Sequence, residues 1–432
     1  MTLALIGFAV LLALSFMGFP LGFTTLAVGV VGFAFTRGWD WHAAFTMMSQ
    51  QIVETGGSYG LSVIPLFILM GVFIHRSNIS EDLYRASYAL VGKYRGGLAQ
   101  STVLACAGFA AVSGSSLATA ATMAKVAMPH MRAYRYDDAL SSGVVSAGGT
   151  LGILIPPSVP MVIYCLVAQE DVGKMFIAGV VPGILLTALF MVAVYAVVLR
   201  NPASGPAGER MAAAERWQAY LRVWPVIVLF IFILGGIYAG AFTPTEASGM
   251  GAVGAALFAF WRGRLRSFGE LYASLIDACK TTAALFMVIF GAQVFANFIN
   301  LSGLPGELVT LVESLNLSAM GVVLAVCVIC IILGMIFESV GLLLLIVPVF
   351  LPTLILLDVD LIWFGIVMIV VVEMGLITPP IGMNVFVVKT VVPDIPLTRI
   401  FAGVTAFVVA DVVALALILA FPIISVGVLT LR

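Results

Sequence analysis

Small hydroxyl side chains stand beside backbone breaks in this sequence, a combination suited to holding a small cation. Ser113, Ser115 and Ser116 belong to the motif SGSS, and Thr378 precedes the pair Pro379–Pro380. Proline has no backbone N–H and clashes with the carbonyl four residues earlier, so a double proline leaves carbonyl oxygens without helical partners. Such freed carbonyls at the end of a broken membrane helix can ligate a cation such as Na⁺.

The second half of each broken helix favours an anion instead. Its first backbone N–H groups lack helical partners, and the helix dipole is positive at this end. Glycines at Gly148, Gly149, Gly152 and Gly375 permit close backbone approach beside the breaks. The sequence therefore predicts that small charged species bind at two places where apolar helices are interrupted.

The chain as a whole is far more apolar than a soluble protein. Of its 432 residues, 62% are hydrophobic and 9% are charged, against roughly 45–50% and about 25% in soluble domains. This composition predicts an all-α polytopic membrane protein. A net charge of −1 gives no electrostatic attraction to nucleic acid. The five cysteines lie in or beside apolar segments and are interpreted as inert thiols.

Hydropathy predicts about ten transmembrane helices and two re-entrant helical hairpins. The spans are expected near 3–19, 22–36, 58–75, 138–168, 175–199, 223–241, 245–261, 281–300, 361–389 and 398–424. The hairpins are expected at 97–133 and 318–356, because each stretch is too long for one span and has a small or polar break in its middle.

The distribution of lysine and arginine supports this topology. Fifteen basic residues then share the side interpreted as inside: Arg76, Arg85, Lys93, Arg95, Arg132, Arg135, Arg200, Arg210, Arg216, Arg222, Arg262, Arg264, Arg266, Lys389 and Arg399. Only Arg37, Lys174 and Arg432 lie outside. This bias follows the positive-inside rule and places both termini outside.

Two parts of the chain repeat one another at a constant offset. GILIPPSVPMVI at 152–163 matches GLITPPIGMNVF at 375–386, an offset of 223 residues that also carries Ser116 to Ser339. Each copy contains an odd number of predicted spans, so the second copy is inverted relative to the first. Two inverted-topology repeats, each with a broken helix, are typical of secondary transporters that bind their cargo near the bilayer midplane.

Four motifs resemble a known family. SGSSLATAATMAKVAMPHM, SAGGTLGILIPPS, TPTEAS and MGLITPPIGMNVF are similar to the large membrane subunit of tripartite ATP-independent periplasmic (TRAP) transporters, the DctM-like family. The resemblance follows essentially the whole chain. It implies an elevator-type transporter that uses a Na⁺ gradient to import an organic acid such as a C4-dicarboxylate, sialic acid or a sugar acid.

The same resemblance implies partners and a location. It predicts a small four-helix membrane subunit, a soluble periplasmic substrate-binding protein and residence in the bacterial cytoplasmic (inner) membrane. Because this chain starts directly at its first repeat, we expect the small subunit to be a separate polypeptide.

Residue by residue, the resemblance implies two Na⁺ sites and one substrate site. The first Na⁺ site would comprise Ser113 and Ser115 with carbonyls of Gly152, Ile155 and Pro157. The repeat-related site would comprise Gly334, Gly375, Thr378 and Met383. The substrate would lie near Ser116, Ser158, Ser339 and Asn384. Glu338 stands where the first repeat has Ser115, which argues against strict equivalence of the two ion sites.

These features predict a division into a fixed scaffold and a mobile transport domain. The scaffold comprises 1–77 and 223–300, and arm helices at 78–96 and 301–316 connect it to the transport domain. The transport domain comprises 97–200 and 317–432, with a cytoplasmic linker at 201–222. The segment 78–94 is amphipathic, as expected for a helix at the membrane interface.

Several ionisable residues leave alternatives open. Glu338 either ligates Na⁺ or caps or pairs structurally, and Lys125 either attracts an anionic substrate or extends to the inner surface. Four more either pair with one another or line a cavity: Asp277, Lys280, Glu373 and Asp411.

Three other functions compete with tripartite transport. An intramembrane serine enzyme would need a base, but the topology places His42, His75 and His130 away from the SGSS motif. A channel would use the two hairpins as a pore. A self-sufficient ion-coupled carboxylate carrier of similar fold is the main alternative.

Overall fold

The computed structural model describes residues 2–431 and is all-helical, without a strand in that range. Arg432, counted above as an outside charge, and position 1 of the predicted scaffold lie outside the described residues. The helices are α1 (Thr2–Phe16), α2 (Leu21–Thr36), α3 (Trp41–Gly56), α4 (Val63–Arg76), α5 (Ile79–Val91), α6 (Gly97–Ser113), α7 (Ser116–Ala133), α8 (Asp138–Leu154), α9 (Val159–Ala168), α10 (Val172–Arg200), α11 (Ala213–Tyr238), α12 (Pro244–Trp261), α13 (Phe268–Leu301), α14 (Leu304–Ser314), α15 (Ala319–Gly334), α16 (Ser339–Leu356), α17 (Leu361–Ile377), α18 (Met383–Val391), α19 (Leu397–Ala420) and α20 (Ile423–Val426).

Polar side chains fix where several helices begin. Asp137 and Asp360 accept backbone N–H groups at the starts of α8 and α17, the two helices that later break. Such N-caps satisfy amides that the first helical turn leaves open. Ser267 and Glu270 form a reciprocal capping box at the start of α13.

The predicted hairpins correspond to two helix pairs, α6–α7 and α15–α16. The predicted broken spans correspond to α8–α9, which bend by 42°, and to α17–α18. Six described helices are long and apolar enough to cross a membrane by themselves. They are α4 with the turn before it (Tyr59–Arg76), α10, α11, α13, α16 and α19. The bent pair α8–α9 adds a seventh candidate span, whereas the predicted spans at α1 and α2 are helices of only 15 and 16 residues.

Three elements differ from the sequence prediction. The prediction missed α3, a helix that precedes α4 and is less apolar than α2 or α4. The span predicted at 281–300 is the end of a 34-residue helix, α13, whose capped start lies at Phe268. The linker predicted at 201–222 ends early, because α11 begins at Ala213. Hydropathy locates apolar cores of helices, so polar helical extensions remain invisible to it.

The remaining linker is fastened to neighbouring elements by hydrogen bonds. Gly96 donates to the carbonyl of Gly205 at 2.8 Å, and Gly208 donates to that of Gly92 at 3.0 Å. Tyr136, in the turn between α7 and α8, donates to the carbonyl of Pro206 at 2.7 Å. Its oxygen also accepts the N–H of Leu98 at 3.1 Å. Burial raises the pKa of Tyr136 to about 12.

The first halves of the two broken helices form the centre of the molecule. In α8 every residue from Leu140 to Leu154 is buried, and in α17 every residue from Ile362 to Ile377 is buried. A helix buried on all sides needs no polar face. Irregular backbone at membrane depth is tolerated only inside protein or beside a watered cavity, and this packing supplies the protein surroundings for the breaks.

Helix contacts are densest within two groups, although α13 of the first also packs against α16 of the second. In the first, α2 packs on α13 and α4 packs on α12. In the second, α8 contacts α6, α7 and α19, while α17 contacts α15 and α19. Gly143 of α8 lies against Gly403 of α19 so closely that a Cβ on either would overlap the other helix backbone. Small residues at such crossings are how membrane helices reach close van der Waals contact.

Ion pairs join the second group on the side predicted to be inside. Arg132 of α7 lies 2.5 Å from Asp394, which follows α18. The hydrogen bond from the Arg132 side chain lowers the pKa of the Asp394 carboxyl below its ordinary value. Arg399 of α19 lies 3.0 Å from Asp137, the cap of α8. Both pairs connect the first half of the sequence to the second.

Candidate functional site

The first helix break lies between Leu154 and Val159, and its polar groups are only partly satisfied by local contacts. Pro156 and Pro157 supply no N–H groups, and the peptide bond between them is cis. The hydroxyl of Ser158 donates to the carbonyl of Ile153 at 2.6 Å. Ser158 was predicted to contact the substrate, but it is fully buried, and its hydroxyl satisfies a backbone carbonyl at the break.

The tip of the first hairpin rests on this break. Gly114 joins α6 to α7 with a φ of +61°, a left-handed conformation that favours glycine. A Cβ at Gly114 would lie 2.9 Å from the carbonyl oxygen of Pro157. A Cβ at Gly152 would lie 2.6 Å from the carbonyl oxygen of Ser115. The tip and the break therefore meet through backbone atoms, with no room for side chains between them.

Oxygen atoms concentrate at this contact. The Ser113 and Thr119 hydroxyl oxygens are 2.7 Å apart, and Thr119 donates to the carbonyl of Ser115 at 2.8 Å. Since Thr119 uses its proton on Ser115, the hydroxyl of Ser113 is the donor in the first pair. The structure thus brings predicted ligands Ser113, Ser115 and Gly152 together. Thr119 was missed, although its spacing of four from Ser115 places it on the same side of α7.

The second break has the same relation to the second hairpin. Gly375 of α17 lies against Gly334 at the end of α15, where a Cβ on Gly375 would be 2.6 Å from the Gly334 carbonyl carbon. Thr378 donates to the carbonyl of Met374 at 2.5 Å. The N–H of Gly382 faces the carbonyl of Met335 at 3.4 Å, and Met383 begins α18. The peptide bond Pro379–Pro380 is also cis.

The two hairpin tips differ in how their second helices begin. Ser115 accepts the N–H of Ala118 at 3.4 Å and so caps α7. Glu338 occupies the same position before α16, but its side chain accepts no capping hydrogen bond. The capping interpretation of Glu338 is therefore wrong, and its half-buried carboxylate instead lines the cavity described next.

A cavity of about 410 Å³ lies between the two helix groups and receives both hairpin tips. Its wall includes Ser113, Ser115, Ser116 and the residues that follow from the first tip, Glu338 and Ser339 from the second, and parts of α4, α9 and α13. Ser116 and Ser339 are the first residues of α7 and α16. Two helix N-termini, each carrying partial positive charge, thus begin at one cavity.

Two predicted substrate residues do not line this cavity. Ser158 is turned to Ile153, as described above. Asn384 is also fully buried, and its amide donates to the carbonyl of Ser146 in α8 at 3.1 Å. The sequence offered no means of distinguishing these two residues from Ser116 and Ser339, because all four lie beside breaks or tips.

Charged and polar side chains from three helices also line the cavity. Arg76 of α4 forms an ion pair with Asp277 of α13, and the His75 ring nitrogen lies 3.1 Å from the hydroxyl of Thr122. Lys125 also lines the cavity, is exposed and has no ion-pair partner among the described residues. The sequence prediction placed His75 away from the SGSS motif, whereas both line this cavity. Sequence reasoning also missed Arg76 and Thr122 as cavity residues, because nothing local shows which face of α4 meets α7.

The sequence left open whether Asp277 and Lys280 pair or line a cavity. Asp277 pairs with Arg76, and Lys280 does not line the cavity. Glu373 and Asp411 are fully buried on α17 and α19, where none of their carboxylate oxygens has a hydrogen-bond partner among the described residues. Neither contributes to the cavity wall. In the described part of the chain no group of three His, Cys, Asp or Glu residues could hold a metal ion.

Comparisons with known proteins add information that the geometry does not contain. Residues 6–424 match the family model described as tripartite ATP-independent periplasmic transporter, DctM component. The C4-dicarboxylate TRAP transporter large permease protein DctM of Pseudomonas aeruginosa is 40% identical over 343 residues, which covers 79% of each chain. The sialic acid TRAP transporter large permease protein SiaM of Vibrio cholerae is 30% identical over 419 residues, 95% of each chain.

A solved structure shares the fold. The YdaH transporter of Alcanivorax borkumensis superposes with a TM-score of 0.66 over 88% of each chain, at 14% sequence identity. At that identity the likeness concerns architecture alone.

Proposed function

Because this chain belongs to the family of the DctM component of tripartite ATP-independent periplasmic transporters, we propose that it imports an organic acid by Na⁺-coupled symport. As a member of that family it is an integral membrane protein and a large permease subunit of a TRAP transporter. The observation that carries the proposal is the joint position of the two hairpin tips, each seated on a helix break and both lining one cavity.

Neutral oxygens at the first break support Na⁺ as the coupling ion. The backbone of Ser115 and the hydroxyl of Thr119 lie against Gly152, and the Ser113 hydroxyl contacts that of Thr119. The carbonyls of Ile155 and Pro157 lie within the same break. A hard monovalent cation suits such ligands, because hydroxyl and carbonyl dipoles balance its charge without burying a carboxylate. We propose a second Na⁺ site at Gly334, Gly375, Thr378 and Met383, where the second hairpin meets the second break.

The helix N-termini at the cavity support an anionic substrate. Ser116 and Ser339 place the amides of α7 and α16 beside the cavity, where the dipoles favour a carboxylate. Lys125 adds a full positive charge on the same wall. The proposal gives direct substrate contact to Ser116 and Ser339. Ser158 and Asn384 hold the backbone around the site in the present arrangement.

Contacts between the broken helices support an inverted arrangement of the two repeats. Tyr164 of α9 donates to the carbonyl of Leu361 at the start of α17, at 2.6 Å. Asn384 of α18 donates to Ser146 of α8. Each segment after a break thus contacts the segment before the other break, which is the pattern of antiparallel broken helices. We propose that α6–α10 and α15–α19 move together against the remaining scaffold in an elevator motion.

The proposal includes two partners and a location. A small four-helix membrane subunit would pack against the scaffold, and a soluble periplasmic protein would deliver the substrate. The bacterial inner membrane is the corresponding location, with the basic residues on the cytoplasmic side.

The proposal is tested by uptake into proteoliposomes that contain this chain and its small subunit, with the binding protein outside. Labelled succinate is the first substrate to try, and sialic acid is the second. We expect uptake to require an inward Na⁺ gradient and to disappear when K⁺ replaces Na⁺. Uptake that is indifferent to the Na⁺ gradient would remove the coupling claim.

Two further arms sharpen the test. Lys125→Gln should raise the substrate concentration needed for half-maximal uptake, whereas Lys280→Gln, a charge on α13 outside the cavity wall, should not. Uptake by this chain alone, without small subunit or binding protein, would instead support a self-sufficient carboxylate carrier.

A further inference from the structure

A strongly basic pocket lies where the arm helix α5 meets α11 and α12. The pocket has a volume of about 300 Å³ and is lined by Ser77, Asn78, Glu81, Asp82, Arg85, Arg222, Arg262 and Arg264. Four arginines against two acids leave two positive charges in excess. All four arginines belong to the side predicted to be inside, so the pocket faces the cytoplasmic leaflet.

The two acids are already engaged within the protein. Asp82 is buried and forms an ion pair with Arg262, and Arg222 approaches its other oxygen at 4.0 Å. Glu81 accepts a hydrogen bond from the amide of Asn78 at 2.6 Å. Arg85 and Arg264 are exposed and have no ion-pair partner among the described residues. The excess charge therefore resides on side chains that are free to bind an anion.

An apolar groove begins directly beside the arginines. Its volume is about 560 Å³, and it runs between α11 and α12. Trp224 and Trp261 stand at its charged end, 6.4 Å apart between ring centroids. Trp261 directly precedes Arg262, and Trp224 lies two residues after Arg222. The groove continues to Phe232, eight residues along α11, which is about 12 Å at 1.5 Å per residue.

We propose that the pocket and the groove together bind one anionic phospholipid of the cytoplasmic leaflet. The phosphate would lie on Arg85, Arg222 and Arg264, and one acyl chain would follow the groove past the two tryptophans. Basic pockets between membrane helices on the cytoplasmic side favour anionic headgroups, and tryptophan rings favour the headgroup level. An anionic head joined to an apolar tail matches this charge beside this groove, whereas a free phosphate would use only the pocket.

Such a lipid would strengthen the junction between arm and scaffold. Arg85 belongs to α5, whereas Arg222 and Arg264 belong to α11 and to the segment after α12. A phosphate shared among them would add to the Asp82–Arg262 ion pair, which already joins the same elements. The arm would then be anchored at the membrane surface while the helices that it precedes remain free to move.

The test is native mass spectrometry of the full chain in detergent, titrated with dioleoyl phosphatidylglycerol or dioleoyl phosphatidylcholine. We expect one tightly bound phosphatidylglycerol and weaker phosphatidylcholine binding. Arg222→Ala and Arg264→Ala should each weaken the phosphatidylglycerol complex about fivefold. Arg216→Ala, on the same helix but outside the pocket, is the matched control and should leave binding unchanged. Equal affinity for the two lipids would overturn the proposal.

Variants in the groove separate a lipid from a free anion. Val228→Trp should block the groove and weaken lipid binding, whereas Ile231→Trp, exposed on the same helix outside the groove, should not. Competition by inorganic phosphate, with no effect of Val228→Trp, would show an anion pocket only and would overturn the lipid assignment. Loss of the bound lipid when the small subunit is co-purified would show that the groove holds that subunit, and would also overturn it.

Discussion

At the scale of single residues, glycine rather than proline sets how closely each hairpin tip approaches its break. The double prolines remove hydrogen-bond donors and so free the carbonyls. Gly152 and Gly375 then allow the backbone of Ser115 and of Gly334 to approach these breaks. A side chain at either glycine would separate the oxygens that are proposed to share one Na⁺.

Gly152→Ala and Gly375→Ala should each weaken Na⁺ binding. The added methyl would lie 2.6 Å from backbone atoms in both cases, and overpacking of this kind costs about 1–3 kcal/mol. A cost of about 1.4 kcal/mol corresponds to roughly a tenfold rise in the Na⁺ concentration for half-maximal uptake. The measurement is Na⁺-dependent uptake in proteoliposomes, combined with size-exclusion chromatography to confirm folding.

The matched control for these variants is Gly249→Ala in α12. Its added methyl would have only the Leu66 side chain nearby, at 3.8 Å, so the Na⁺ requirement should stay at the wild-type value. Folded Gly152→Ala protein with an unchanged Na⁺ requirement would contradict the first site.

At the scale of elements, the short segment after α10 is part of the packed structure. Residues 205–208 exchange backbone hydrogen bonds with the turn between α5 and α6, and Tyr136 fastens the same segment to the start of α6. The chain therefore passes from the proposed mobile helices to the scaffold through a fixed connection at this point. The motion of the transport domain must then be taken up by other joints, such as the ends of α5.

Tyr136→Phe should lower the melting temperature measurably at neutral pH. The substitution leaves the N–H of Leu98 and the carbonyl of Pro206 without their partner, and an unsatisfied buried group costs about 1–3 kcal/mol. Tyr195→Phe, an exposed tyrosine on α10, is the control and should leave the melting temperature unchanged.

The same pair of proteins should show a defined pH dependence. Folding raises the pKa of Tyr136 to about 12, above roughly 10 for an unfolded tyrosine. The neutral hydroxyl of Tyr136 therefore stabilises the folded protein fully at pH values below the pKa of tyrosine in the unfolded chain. This stabilisation is lost as the pH rises towards the pKa of Tyr136 in the folded protein. The difference in melting temperature between wild type and Tyr136→Phe should shrink between about pH 10 and 12. A constant difference across that range would contradict the assigned role.

At the scale of the whole molecule, the cavity lies on the boundary between two groups of helices. One wall comes from α4 and α13, and the other comes from the hairpin tips and the first break. A site on such a boundary can open to one side of the membrane and then to the other if one group slides past the other. Helices α2 and α16 also meet at this boundary, where the side chain of Leu21 contacts Gly341.

A cross-link across this boundary should arrest transport. A Cβ on Gly341 would lie 3.6 Å from the Cγ of Leu21, so Leu21→Cys with Gly341→Cys should react with a short bis-methanethiosulfonate. This reagent forms one disulfide with each thiol and releases sulfinate, so a reductant reverses the cross-link. The background variant is Cys279→Ser, because Cys279 is the exposed cysteine among the described residues. We expect uptake to stop after cross-linking and to return after reduction.

The control cross-link joins α11 to α12 within the scaffold, through Leu229→Cys and Gly254→Cys. These positions are close, with a Cβ on Gly254 3.0 Å from the Leu229 side chain, and uptake should survive their cross-linking. Undiminished uptake in the Leu21–Gly341 cross-linked protein would exclude an elevator motion that separates α2 from α16.

The sequence by itself determined the features that are local or periodic. The hairpins, the two double-proline breaks and the arm helix at 78–94 all follow from where apolar runs stop and which residues stop them. Four motifs along the chain also predicted the family, which the comparisons confirm. These properties depend on residues that are close in sequence, so they can be predicted from the order of residues alone.

Only the tertiary structure decided which side chains face the cavity. Ser116 and Ser339 line it, whereas Ser158 and Asn384 are buried outside its lining, and Arg76 rather than Lys280 pairs with Asp277. A polar group beside a break can turn to any of several helices, and distant packing determines which one it meets. That packing joins residues hundreds of positions apart, and neither hydropathy nor spacing contains the relative rotation of two helices.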